Sequence, residues 1–189
     1  MSKMFNTIIG LFKNFEAGNY SLSYLSAFYN DKGLNAEQKY ISDIHELLND
    51  DDWAEENHRY IQWLFPLNEM SKYNLNAPVL TDTQIDYLKH SIEFQQNLNK
   101  SFWHMMRFYG FVEDTCYDNL LRLDNLNKAQ NYWLKSHDHN QLRITRILNC
   151  LDLFDRSDLA DMFRFELKQA FIKYGKINPE TIMYWKLDI

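Results

Sequence analysis

Glycine and proline are scarce in this chain of 189 residues, at five and three. An all-β architecture depends on frequent tight turns, so a supply this small argues against one. Cysteine is scarcer still. Cys116 and Cys150 stand far apart, which fits a reduced pair better than a disulfide framework. No apolar run approaches the ~18 residues that cross a membrane, so no transmembrane segment is expected. The N-terminus shows neither a basic n-region nor a small-residue cleavage site, and a cytoplasmic location is expected. Positive charge is also in short supply. Lysine and arginine total 20 against 26 acids, a net charge of −6 with no basic cluster. That balance opposes nucleic-acid phosphates, and no nucleic-acid partner is expected. A phosphate-binding glycine loop, a nucleophile elbow and a dinucleotide fingerprint are all missing, and no cofactor is expected.

What is present is apolar and aromatic. Hydrophobic residues make up 46% and aromatics 16%, enough for a densely packed globular core. The length suits a single domain over residues 1–189. The 19 asparagines concentrate at segment joints, where asparagine caps helices and tolerates turns. Met4, Ile8, Leu11, Phe12 and Phe15 recur at helical spacing up to Gly18, giving an amphipathic helix expected to dock on the core. Further helices are read over about 21–29, 37–50 and 52–64. Residues 66–80 carry two prolines and no clear periodicity. They form either a functional loop or one that wraps the core with Leu67, Met70, Tyr73 and Leu75. Thr81 and Gln84 make a capping box, and Ile85, Leu88, Ile92, Leu98, Phe102, Met105 and Tyr109 continue one stripe to Gly110. This predicts one long helix as the spine of the molecule. Residues 111–136 read as short helical pieces near Tyr117–Leu123 and Lys128–Leu134. Helices follow from Asp138 to about Phe154 and from Ser157 to Tyr174, and Asn178-Pro179 opens a last one carrying Trp185. The expected fold is all-α, a bundle of roughly eight helices around a long central one, with no convincing strand.

The most unusual stretch runs from Asn57 to Leu67. On a helical wheel Tyr60, Ile61, Trp63, Leu64 and Phe65 point nearly all round, so the segment should be buried. His58 and Gln62 would share one face, four residues apart. This run resembles the signature of the opioid growth factor receptor family, in its N-terminal conserved region. The likeness includes Phe28-Tyr29-Asn30, Tyr40-Ile41, Trp53, Asn76 to Thr81, Phe108-Tyr109-Gly110 and Asn140 to Leu148, in the family's order over residues 28–155. The resemblance implies a receptor for the opioid growth factor, the pentapeptide Met-enkephalin, associated with the nuclear envelope or a membrane surface. It supplies no catalytic residues.

The candidate site follows from charge and spacing. His139, Arg143, Arg146 and Cys150 fall on one stripe beside the core face of their helix. Half-sunk arginines need acceptors. The choice is an anionic pocket, as for a peptide C-terminus or a phosphorylated ligand, or internal salt bridges to Glu55, Glu56 or Asp152. Linkage of the two strongest signatures places Arg143 or Arg146 near His58, Gln62 or Glu56. The ligand-binding candidates are therefore His58, Gln62, His139, Asn140, Arg143 and Arg146. Glu55-x-x-His58 lacks the second copy a di-iron site requires, and His137-Asp138-His139 lacks zinc-site spacing, so no metal is expected. The function expected is a non-catalytic module for a peptide or protein segment, an opioid-like one by resemblance, and not an enzyme. The alternative is a small-molecule or anion binder, or an enzyme, built on His58, Arg143 and Arg146.

Overall fold

In the computed structural model, residues 18–114 and 120–188 are described. The N-terminal helix expected over Met4–Phe15 and the residue Cys116 lie outside them. Among the described residues ten helices and one two-stranded hairpin appear, so the all-α class stands, with a long central helix. In chain order the elements are α1 (Leu22–Tyr29), α2 (Ile41–Leu47), α3 (Asp51–Glu56), α4 (Tyr60–Leu64), α5 (Asp82–Lys89) and α6 (Ile92–Tyr109). After these come β1 (Phe111–Asp114), β2 (Leu120–Leu123), α7 (Leu126–Tyr132), α8 (His139–Leu153), α9 (Ser157–Tyr174) and α10 (Pro179–Tyr184).

Local capping explains most boundaries. Ser21, Asp50, Ser91, Asn125, Asp138 and Asn178 each accept a backbone N–H in the first turn of the following helix. The Thr81/Gln84 capping box forms as the sequence predicts. The helix it opens does not run on to Tyr109. It stops at Lys89, because Ser91 takes an extended conformation and caps α6 by accepting from Phe94 N at 3.3 Å. That restart moves the buried stripe: Phe94 is in the core and Ile92 is 70% exposed. The 18-residue α6 still packs against more helices than any other element, namely α1, α2, α4, α5 and α7.

Of the residues expected to be helical near 117–123, Leu120–Leu123 instead supply a strand, and 117–119 lie outside the described residues. β1 and β2 pair antiparallel with Phe111 opposite Leu123. Gly110 starts the hairpin from a left-handed conformation (φ 91°), and its carbonyl accepts from both Asp124 N and Asn125 N. A Cβ there would lie 2.5 Å from the Asn125 carbonyl oxygen, so the position requires glycine. The signature helix read over 52–64 is likewise two helices, α3 and α4, with Asn57, His58 and Arg59 between them. Trp63, Leu64 and Phe65 are core, as expected. The 66–80 segment is tied at its ends by Leu80 N donating to Leu67 O (2.9 Å) and Val79 N donating to Gly18 O (2.8 Å). Leu67 is buried, yet Met70, Tyr73 and Leu75 stay exposed, so this loop does not simply wrap the core.

One buried polar pair makes stability depend on pH. His45 donates from Nε2 to Ser101 Oγ (2.8 Å), whose hydroxyl in turn donates to Asn97 O. The His45 ring also stacks on His104 at 5.2 Å. Burial, with Lys100 and His104 adding to it, pulls the His45 pKa down to about 3. The unfolded chain therefore takes up this proton first, and stability falls as pH drops below the ordinary histidine value of about 6.5. Going from about pH 7 to about pH 5, His45 alone should remove about 2 kcal/mol. Urea melts at both values test this. A His45→Asn variant should show a flatter acid limb, and an unchanged limb would remove His45 from the explanation.

Candidate functional site

The site is assembled on the break between α3 and α4. A short helix such as α3 ends with carbonyls that lack N–H partners. Here the partner comes from α8. Arg143 Nη1 donates to Ala54 O (2.9 Å), Tyr60 Oη (3.3 Å) and Asn140 Oδ1 (3.1 Å). Its Nη2 donates to Glu55 O (3.2 Å), Asn57 O (2.8 Å) and His58 Nδ1 (2.5 Å). The guanidinium also lies over the Tyr60 ring at 5.5 Å. Its positive charge sits at the negative end of the α3 dipole, and the residue is 5% exposed. Arg143 is thus a clamp between segments, although its acceptors are carbonyls and not the carboxylates expected. Asp152, the other acid considered, is engaged by Arg164 and Lys186 at 2.7 Å each.

The remaining candidates gather around this clamp. His58 lies in the link between the helices, not on a face shared with Gln62. Because its Nδ1 accepts from Arg143, its ring proton is on Nε2. Partial burial, followed by the charges of Arg143 and His139, lowers its pKa. The His139 ring meets it edge-on at 5.1 Å, and His139 Nε2 is 3.3 Å from Glu55. Asn140 is buried, donating to Glu55 Oε2 (3.0 Å) while its oxygen receives Arg143. Gln62 is buried with its side-chain amide 3.0 Å from the carbonyls of His58 and Arg59, to which it donates when the amide is turned with its nitrogen on that side. Asn140, Gln62 and Arg143 therefore hold the break in place.

Arg146 is different. Its Nε donates to Phe65 O at 2.8 Å, while Nη2 is shielded from water and bonded to nothing. No carboxylate pairs with either arginine within 4.0 Å among the described residues. Burial lowers the Arg146 pKa, opposed by Cys150, Tyr29 and Glu69. Arg146 lines a cleft of about 720 Å³, together with His58, Gln62, His139 and Arg143. The far wall comes from Glu69, Met70, Ser71, Lys72 and Tyr73 of the 66–80 loop, with Ile61 and Leu142 on the helices. The sequence reading missed these wall residues. The available signal was an aperiodic loop carrying Met70 and Tyr73, which the fold leaves 66% and 74% exposed. A second cavity of about 530 Å³ adjoins it, sharing His58 and Tyr73 and reaching Trp53, Tyr60 and Glu37.

Fold and cleft together define a helical module whose basic cleft sits on an arginine-clamped helix break. A family model described as the opioid growth factor receptor (OGFr) conserved region matches residues 18–188. The chain belongs to that family. It is similar to the opioid growth factor receptor of Rattus norvegicus, 36% identical over 159 residues, covering 82% of this chain and 27% of the relative. With the Homo sapiens receptor the identity is 37% over 153 residues, 79% of this chain and 22% of the relative. The Mus musculus opioid growth factor receptor-like protein 1 is 31% identical over 154 residues, covering 80% and 33%. The chain thus spans about a quarter to a third of the length of these relatives. No solved structure matches. No helix among the described residues is long and apolar enough to cross a membrane.

Proposed function

We propose that this chain is a non-catalytic binding module that takes a peptide or protein segment in the cleft between the 66–80 loop and α8. The observation that carries this reading is Arg146, which has no carboxylate within 4.0 Å among the described residues and lines a cleft of about 720 Å³ with exposed apolar walls. Sites with a few polar groups among apolar surfaces are the usual form of a ligand pocket. The names of the relatives, opioid growth factor receptor, support a peptide as ligand. Against the enzymatic alternative, Arg143 spends its donors on internal acceptors and His58 Nδ1 is occupied by Arg143. The Ser71 hydroxyl oxygen accepts from Tyr73 N and Asn74 N, which leaves it poorly placed as a nucleophile.

Calorimetric titration of Met-enkephalin into the wild type and Tyr73→Ala tests the proposal. Tyr73 is largely exposed, so its truncation should leave the melting temperature unchanged and weaken binding about tenfold, in keeping with a contact aromatic. Loss of heat on substitution would support the cleft. Failure of the wild type to bind this peptide or any other short peptide would sink the module reading.

A further inference from the structure

The charge around the cleft is opposite to that of the whole chain. The protein carries a net −6, yet Lys72, Arg143 and Arg146 line the cleft against the acid Glu69. Of these cations Arg143 is fully used by internal acceptors, whereas Arg146 makes only its Nε bond to Phe65 O. A half-buried guanidinium that no carboxylate approaches within 4.0 Å, Glu69 acting on it only from a distance, is a costly arrangement unless something else pairs with it. The surroundings say what kind of anion that is. Ile61, Leu142 and Met70 line the cleft together with Arg146. Leu142 is 56% exposed one helical turn from the arginine. A phosphate dianion wants several converging donors, whereas only Arg146 is drawn in among the apolar walls and the other available cation, Lys72, lies exposed on the loop. A carboxylate is matched by one guanidinium, and an apolar side chain attached to it would cover the walls. The adjoining cavity, entered past His58 and Tyr73, provides space for a chain extending away from that end.

Resting on the binding-module reading, we propose that the cleft anchors its ligand by a C-terminal carboxylate at Arg146. The last side chain is bulky and apolar and lies against Ile61, Leu142 and Met70. The preceding residues run past Tyr73 towards Trp53. The chemistry is that of end-recognition, in which the free terminus, not an internal sequence, is selected.

The test uses pentapeptides ending in Met, Leu or Phe, each as the free acid and as the C-terminal amide, with 3-phenylpropionate and inorganic phosphate as small anions. Free acids should bind roughly 10- to 100-fold more tightly than their amides, the range of a charge-assisted hydrogen bond. Arg146→Gln should abolish that preference, and Arg146→Lys should keep part of it. Leu142→Asp should weaken every acid, and raising salt should weaken acids more than amides. Equal binding of acids and amides by the wild type would overturn the carboxylate anchor and leave the module reading standing. Absence of binding by both forms would overturn both. Phenylpropionate binding as tightly as the peptides would overturn the end-recognition of a chain, and preferential phosphate binding would overturn the choice of anion. The acid-to-amide ratio is read on the wild type, so the result does not depend on how Arg146→Gln folds.

Discussion

Arg143→Ala should unfold this protein more readily than any surface change, by about 3–5 kcal/mol, because several neutral acceptors lose their donor together at about 1–3 kcal/mol for each one left unmatched away from water. The substitution strands the carbonyls of Glu55 and Asn57, the Asn140 side-chain oxygen and His58 Nδ1 at once, and leaves Ala54 O and the Tyr60 hydroxyl only the 3.1 Å bond they make to each other. Several of these are shielded from water, so they carry an unpaid desolvation cost. Arg143→Lys should recover little. An ammonium has three donors on a flexible stem, whereas the guanidinium reaches both sides of the break with a fixed fork. Chemical denaturation of the two variants measures this. Stability of Arg143→Ala within about 1 kcal/mol of wild type would mean that the break between α3 and α4 holds itself.

The second large effect is expected at Trp63, where truncation to alanine should cost about 3–5 kcal/mol. Trp63 is fully buried. Its ring meets Phe28 at 5.2 Å and Tyr20 at 5.1 Å, and its backbone carbonyl accepts the Tyr29 hydroxyl at 3.0 Å. The cavity left behind would be walled by rigid rings that cannot collapse into it. A melting temperature unmoved by Trp63→Ala would show that the aromatic run serves an interface and not the core. Trp63→Phe should lie between the two, since it keeps most of the ring contacts.

Much of the fold could be read from local pattern, because its causes are local. The α9 boundaries at Ser157 and Tyr174, the Thr81/Gln84 box and the Gly110 cap all depend on residues within a few positions of each other. The failures came where the deciding partner is distant or the element is short. The helix break at Asn57–Arg59 is bound up with Arg143, more than eighty residues away, and no periodicity in 52–64 records that. The restart at Ser91 competed with an apolar stripe that continued across it, and the stripe was the wrong guide. The hairpin has four residues on each side, too few to separate a period of two from a helical one. For the site, helical spacing brought His139, Arg143 and Arg146 together, and the observed His58–Arg143 bond joins the two signatures as expected. The division of labour between the arginines was not legible. It depends on which guanidinium meets the carbonyls at the end of α3, since both arginines line the cleft, a matter of one turn of α8. The loop wall of the cleft was legible only as a segment without periodicity.

The central proposal is that division, in which Arg143 holds the fold and Arg146 serves a ligand. Parallel thermal melts of the wild type, Arg143→Ala and Arg146→Gln, each with and without a free-acid pentapeptide ending in Met, test it most directly. The expected result is a large fall in melting temperature for Arg143→Ala. For Arg146→Gln a smaller fall is expected, together with loss of the upward shift that the peptide gives the wild type. Equal destabilisation by the two substitutions, with the peptide shift surviving in Arg146→Gln, would contradict it.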